Sequence, residues 1–180
     1  MKNNILKFKI GFTLIETLVA ISILTAAIAG PLVMSIKNIG TASVSQDQLV
    51  AFYLGQEVIE YVRNVRDTNL IGKVLDDDSF DWLAGLRDCD DKDCSIDVFT
   101  SEITTCSGPC NKLKIETGKY GYGYTGTDTS FTRTVRITNP VSVGGNMDEA
   151  QVDITMTWKS KYGNKKKTVK LQDHIFNWRE

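Results

Sequence analysis

From Phe12 to Ile36 the chain runs for 25 residues with a single charge, Glu16. As a helix, that stretch is long enough to cross a hydrocarbon layer of about 30 Å. Lys2, Lys7 and Lys9 precede it with no acid among them, and Lys37 follows it. The excess of positive charge before the segment favours a cytoplasmic N-terminus and an exported remainder. That remainder is long enough for one domain with its own core. The formal net charge of −1 hides the segregation, because the first lysines offset a more acidic body. Elsewhere Lys and Arg are interleaved with acids and polar residues. Only Lys165, Lys166 and Lys167 form a run, read as a solvated turn between strands, so no nucleic-acid partner is expected.

A segment of this kind can be a cleaved secretory signal, a plain anchor, or an assembly helix kept after a short leader is removed. Ala27-Ile28-Ala29 offers a small-residue site for the first. Glu16 argues against it. A carboxylate in an inserted helix costs roughly 2.5–3.5 kcal/mol at the centre and less near the end, and an export signal gains nothing from it.

The residues Gly11-Phe12-Thr13-Leu14-Ile15-Glu16 resemble, at all six positions, the cleavage and methylation motif of type IV pilins and type II secretion pseudopilins. The resemblance implies a cut between Gly11 and Phe12 by prepilin peptidase on the cytoplasmic side. N-methylation of Phe12 and retention of the helix follow. It also implies, as partners, other pilin or pseudopilin subunits, inner-membrane assembly machinery and the lipid bilayer. The expected location is a single-pass inner-membrane protein with its head outside the cytoplasm, later part of a pilus or pseudopilus fibre. The physical logic agrees: Gly11 has no Cβ to obstruct a protease reading backbone. After cleavage, Glu16 lies one turn from the new ammonium, placed to pair with the Phe12 ammonium of a neighbouring subunit in assembly. Gly30-Pro31 removes a backbone hydrogen bond and weakens the helix, so a kink or melted turn is expected near 27–31.

Beyond Lys37, Ala51, Leu54, Val58, Tyr61 and Val65 recur at spacings of three and four, the mark of an amphipathic helix with one stripe toward a sheet and the other toward water or a neighbour. The expected division is a leader at 1–11, a transmembrane helix at 12–36, its amphipathic continuation at 37–66 and a β-rich head at 67–180. Residues 12 to about 66 would then make a nearly continuous helix of roughly 80 Å. Glu60–Arg63 is the one true helical neighbour among Glu57, Glu60, Arg63 and Arg66, read together as a solvated face. The stretch Ala51–Asn69, and the strand around Phe131–Ile137, resemble more loosely V- or I-type minor subunits. On that likeness Ala51, Leu54 and Val58 are expected to pack on sister subunits. Retention of Glu16 places the chain below the fibre tip, because a first subunit has no earlier neighbour to meet.

Residues 67–94 are acid-rich and read as irregular. Asp88, Asp90 and Asp93 are oxygen donors with calcium as an alternative reading, but they lack the spacing and glycine of an EF-hand, and no metal site is assigned. Strand patterning follows in Ile96 with Val98, Leu113 with Ile115, and Phe131, Val135 and Ile137. The clearest strand is Val152, Ile154, Met156 and Trp158, with Val169 and Leu171 as its hairpin partner after the turn Tyr162-Gly163-Asn164. Tyr120-Gly121-Tyr122-Gly123-Tyr124 reads as a loop with packed rings, adhesion through exposed tyrosines being the alternative. The fold class is α+β: a long N-terminal transmembrane helix continuing into a globular head with an antiparallel sheet packed on it, pilin-like.

Cys89, Cys94, Cys106 and Cys110 are all the cysteines. An even number in an exported head favours disulfides over zinc, whose common C-x2-C spacing is absent. Cys94–Cys106 with Cys89–Cys110 would nest across an antiparallel pair; the local pairs Cys89–Cys94 and Cys106–Cys110 are the main competitor. His174 is the only histidine, with no nucleophile placed near it by motif. No catalytic residue and no cofactor is assigned, and the chain reads as an enzyme's substrate rather than an enzyme. Two function classes remain, a structural fibre subunit, in which this chain would be a minor component, and a membrane-anchored binding or adhesion protein whose helix is only a tether.

Overall fold

A computed structural model describes residues 11–76, 81–115, 118, 121–138, 149–160 and 165–178, with the side chains of 73–76 excepted. The leader lysines, Asp77, Asp78, Tyr120 and the turn Tyr162-Gly163-Asn164 lie outside the described residues. The chain forms two compact units, Met1–Ala42 and Ser43–Glu180.

One helix, α1 (Leu14–Asp76), passes through Gly30 and Pro31 unbroken, so the expected melted turn near 27–31 is not present. The Ser35 hydroxyl donates to the Pro31 carbonyl at 2.9 Å. In the first unit every described residue up to Ile39 is exposed. The helix also extends past the end expected near residue 66. Leu70 is buried in the head core, and the Asn69 amide donates to the carbonyls of Ala84 at 2.8 Å and Trp82 at 3.2 Å. These contacts reward continued helix where local composition suggested a loop.

In the second unit α1 is followed by a 3-10 turn at Arg87–Cys89. Among the described residues seven antiparallel strands then make one sheet: β1 (Cys94–Asp97), β2 (Glu102–Thr105), β3 (Lys112–Ile115), β4 (Tyr122–Gly123), β5 (Thr127–Thr138), β6 (Glu149–Lys159) and β7 (Lys166–Phe176). β5 organises it, with β6 on one side and β1 and β3 sharing the other. β2 lies outside β1, β4 outside β3, and β7 outside β6. This is the expected hairpin of β6 with β7, and Val152, Ile154, Met156 and Trp158 are buried on alternate positions as a half-buried strand requires. The period-2 pattern also sends Thr155 and Asp153 to the other face.

The core joins Ala51, Leu54, Val58, Ile59, Val62 and Leu70 of α1 to the inward residues of β5 and β6, with Trp82, Leu83 and Leu86 from the turn. Each fully buried aliphatic side chain contributes about 1.5–3 kcal/mol relative to exposure. Gly55 lets the helix pack tightly on β7, since a Cβ there would stand 2.7 Å from Leu171 Cδ1. Tyr122 packs edge-on against Phe131, a packed ring in a two-residue strand rather than a loop. Ala51, Leu54 and Val58 form the stripe that faces the sheet, as an amphipathic helix on a sheet requires, and so are not free to pack on sister subunits as also expected. The large apolar side chains exposed on that stretch of helix are Leu49, Phe52 and Tyr53.

Candidate functional site: the N-terminal motif and its helix

Gly11, Phe12 and Thr13 precede the first helical residue, and Phe12 is 82% exposed. A Cβ built on Gly11 would meet nothing within 4 Å, so folding of this chain makes no demand for glycine there. A requirement for Gly11 would have to come from a partner that reads the backbone closely.

Thr13 caps the helix. Its hydroxyl accepts from the Glu16 N–H at 3.3 Å, and the Glu16 carboxylate accepts from the Thr13 N–H at 3.4 Å. This reciprocal pair is a capping box, which satisfies amide donors that a helix start otherwise leaves open. The Thr-x-x-Glu spacing was legible in the sequence, although Glu16 drew attention there only as an intermolecular partner. Glu16 also counters the positive end of the helix dipole. Its carboxylate therefore has a local role before any neighbour arrives.

Further along, the remaining hydroxyls of the apolar stretch turn back on their own helix. Thr17 donates to Leu14 O at 2.8 Å, Ser22 to Leu18 O at 2.8 Å, and Thr25 to Ile21 O at 3.0 Å. Polar groups satisfied within the segment are what an apolar surrounding demands. The helix is long and apolar enough to cross a membrane, and none of its most apolar window is buried inside the chain. That window therefore takes no part in the core of the head, which uses the later turns of the same helix.

The four cysteines close two local bridges, Cys89–Cys94 and Cys106–Cys110. The nested pairing is overturned. β1 and β2 pair through Cys94↔Thr105, so Cys106 falls one position beyond the partner of Cys94, with its side chain out of register for a cross-strand bridge. Asp90 and Asp93, the proposed calcium donors, face arginines: Asp93 lies 2.8 Å from Arg136, and Asp90 3.4 Å from Arg87. Asp88 is exposed. Among the described residues no group of three or more His, Cys, Asp or Glu side chains is arranged to hold a metal.

The reading of Glu57 and Arg63 as members of a solvated face is corrected. Arg63 makes the expected pair with Glu60 at 2.9 Å, but also grips Asp173 of β7 with two nitrogens, at 2.9 and 3.0 Å. The Asp173 hydrogen bonds raise the Arg63 pKa above its ordinary value. Glu57 meets Arg133 of β5, a residue that sequence reasoning passed over and that is fully buried. Its signal was available: Arg133 occupies the inward parity between Phe131 and Val135. Nearby, burial pushes the Tyr124 phenol up, against the opposing pull of the Arg133 charge. His174 is exposed, 2.6 Å from Glu149.

Residues 7–30 match the family model for the prokaryotic N-terminal methylation motif. No curated protein and no solved structure matches the chain. The motif, the long apolar helix behind it and the antiparallel head together make this a type IV pilin-like protein. The matched family is structural rather than catalytic, and its motif indicates a prepilin-like substrate, anchored in a membrane and assembled with other pilins.

Proposed function

We propose that the chain is a structural subunit, a minor one, of a type IV pilus or type II secretion pseudopilus. Prepilin peptidase removes residues 1–11 and methylates Phe12, and the helix first anchors the chain in the inner membrane and then packs among sister helices. The observation that carries this is the pairing of the motif at 7–30 with an apolar helical stretch, none of whose most apolar window is buried inside the chain. Such a surface needs lipid or other helices around it. In the fibre, Glu16 leaves the capping box in part and pairs with the Phe12 ammonium of a neighbour. Two disulfides agree with a head folded in an oxidising compartment. The minor assignment rests on the looser likeness of Ala51–Asn69 and Phe131–Ile137 to V- and I-type subunits.

Mass spectrometry of the mature N-terminus tests the reading. An N-methylated Phe12 is expected, and Gly11→Val should leave a precursor about 1.2 kDa heavier, at roughly 110 Da per leader residue. Wild-type protein that begins at Met1 or Gly30 in the membrane would show instead a simple anchor or a cleaved signal. Quantitation in purified fibres should find the chain at a small fraction of the dominant pilin; a majority share would remove the minor assignment alone.

A further inference from the structure

We propose that the lysine-bearing end of the head is a docking face for anionic phospholipid headgroups, holding the membrane-resident subunit against the bilayer before assembly; this rests on the membrane reading above. Among the described residues β7 is an edge strand, paired with β6 alone. Lys166, Lys167 and Lys170 lie in its first half, Lys165 precedes it, and Lys159 stands directly opposite Lys166. All five are exposed. The register partners of Lys167 and Lys170 are Trp158 and Thr155, so the pairing supplies no acid, and like charges placed opposite one another weaken a sheet. Exposed lysines guard an edge strand against pairing with another sheet, which accounts for lysines on β7 but not for their concentration at one end of it.

Asp91, Asp93 and Asp173 lie at the other end of the strands, whereas Asp97, Glu102 and Asp128 stand level with the lysines on strands further across the sheet. The Asp91 N–H donates to Ile137 O at 2.8 Å, and Asp93 pairs with Arg136. Ile137 is opposite Val152, which is opposite Asp173. From Val152 to Lys159 is about 23 Å along β6, at roughly 3.3 Å per residue.

The lysine end is also the end at which the chain comes in. Beside β7, Ser45, Gln48 and Leu49 line a groove with Val169, whereas Ile59 and Arg63 line the next stretch with Leu171 and Asp173. Helix and strand advance together, so the start of β7 lies toward Ser43, where the head unit begins. Ser43 follows Lys37, the residue that closes the apolar stretch, by only six positions in the chain. Each lysine held near an anionic leaflet adds about fivefold to surface affinity. The far end of a second copy is the weaker occupant, because its Asp90 and Asp93 already face Arg87 and Arg136.

The test uses the full chain reconstituted in vesicles of phosphatidylcholine, alone or mixed with phosphatidylglycerol, and amine labelling read by peptide mass spectrometry. In the anionic vesicles Lys165, Lys166, Lys167 and Lys170 should label several-fold more slowly, with Lys92 at the other end unchanged. The difference should vanish near about 0.5 M salt. Replacing Lys165, Lys166 and Lys167 together with Gln should release Lys170 from protection. Equal labelling in the two vesicles overturns the proposal. So does protection that follows protein density and not lipid charge, which would give the lysines to a second copy. If alkaline carbonate extracts the chain, the membrane reading fails and takes the proposal with it; an inserted chain with unprotected lysines sinks the proposal alone.

Discussion

Arg133 of β5 reaches Glu57 of α1, its Nη1 2.9 Å from the carboxylate, and donates as well to the carbonyls of Leu54 at 3.0 Å and Ile96 at 2.7 Å. One guanidinium therefore ties the helix, the central strand and β1 together inside the core. Arg suits this place because its planar fork serves several acceptors while staying charged. Arg133→Ala should destabilise the head by about 3 kcal/mol, the low end for a broken buried pair because Glu57 keeps partial contact with water. Arg133→Lys should still lose about 1–2 kcal/mol, since one ammonium cannot reach all three acceptors. Urea unfolding of the detergent-solubilised full chain measures both, and an Ala variant as stable as wild type would remove this ion pair from the account.

Glu16 has two roles that one substitution separates. Glu16→Gln preserves the side chain that a capping box accepts but not the charge that an ammonium needs. If assembly depends on pairing with the Phe12 ammonium of a neighbour, Gln and Ala variants should both insert and be processed, yet be depleted from sheared fibres. Full incorporation of the Gln variant beside a defective Ala variant would instead assign Glu16 to capping alone. Immunoblots of sheared fibres and of membranes give the answer.

The disulfide bridges close short loops, with sequence separations of 5 and 4. On the chain-entropy account each contributes about 2 kcal/mol, less than the nested pairing of Cys89 with Cys110 would give. Glu102 stands between the two bridges. Cleavage after Glu102 without reduction should let the peptides carrying Cys94 and Cys106 separate. If those peptides stay joined until reductant is added, the local pairing is wrong and one of the two cross-linked connectivities holds.

The turn after α1 should be acid-sensitive. Hydrogen bonds from Arg87 to Asp81, at 2.6 and 2.7 Å, hold the Asp81 carboxyl below the usual range, with the Leu83 N–H adding to the effect. A depressed folded pKa means stability present above the unfolded value near about 4 and lost as pH falls through the folded one. The contribution is small, because the pair is partly exposed. Asp81→Asn should therefore flatten the loss of stability below about pH 4 and change little at neutrality. An unchanged acid limb in urea titrations of the variant would assign that loss to other carboxylates.

The sequence by itself determined those features whose cause lies between near neighbours on the chain. The motif at Gly11–Glu16, the apolar stretch and the amphipathic repeat Ala51-Leu54-Val58 are patterns of adjacent residues. So is the alternation from Val152 to Trp158, and all of these could be read without coordinates. Tertiary structure decided what depends on which distant segments meet. Arg133 had the parity of a core residue, but its acceptors at Leu54 and Ile96 are 79 and 37 positions away, so no local pattern showed that a charge could be satisfied there. α1 runs to Asp76 because the carbonyls of Trp82 and Ala84 return to Asn69, a contact that outweighs weak local preference. The same reason fixed the cysteines. Three connectivities were open to the spacing, and the register Cys94↔Thr105, set by strand pairing, left each cysteine facing its neighbour in sequence. The repeat Ala51-Leu54-Val58 called for a sheet to cover it, and tertiary structure decided that β5 and β6 do so, which leaves that stripe unavailable to sister subunits.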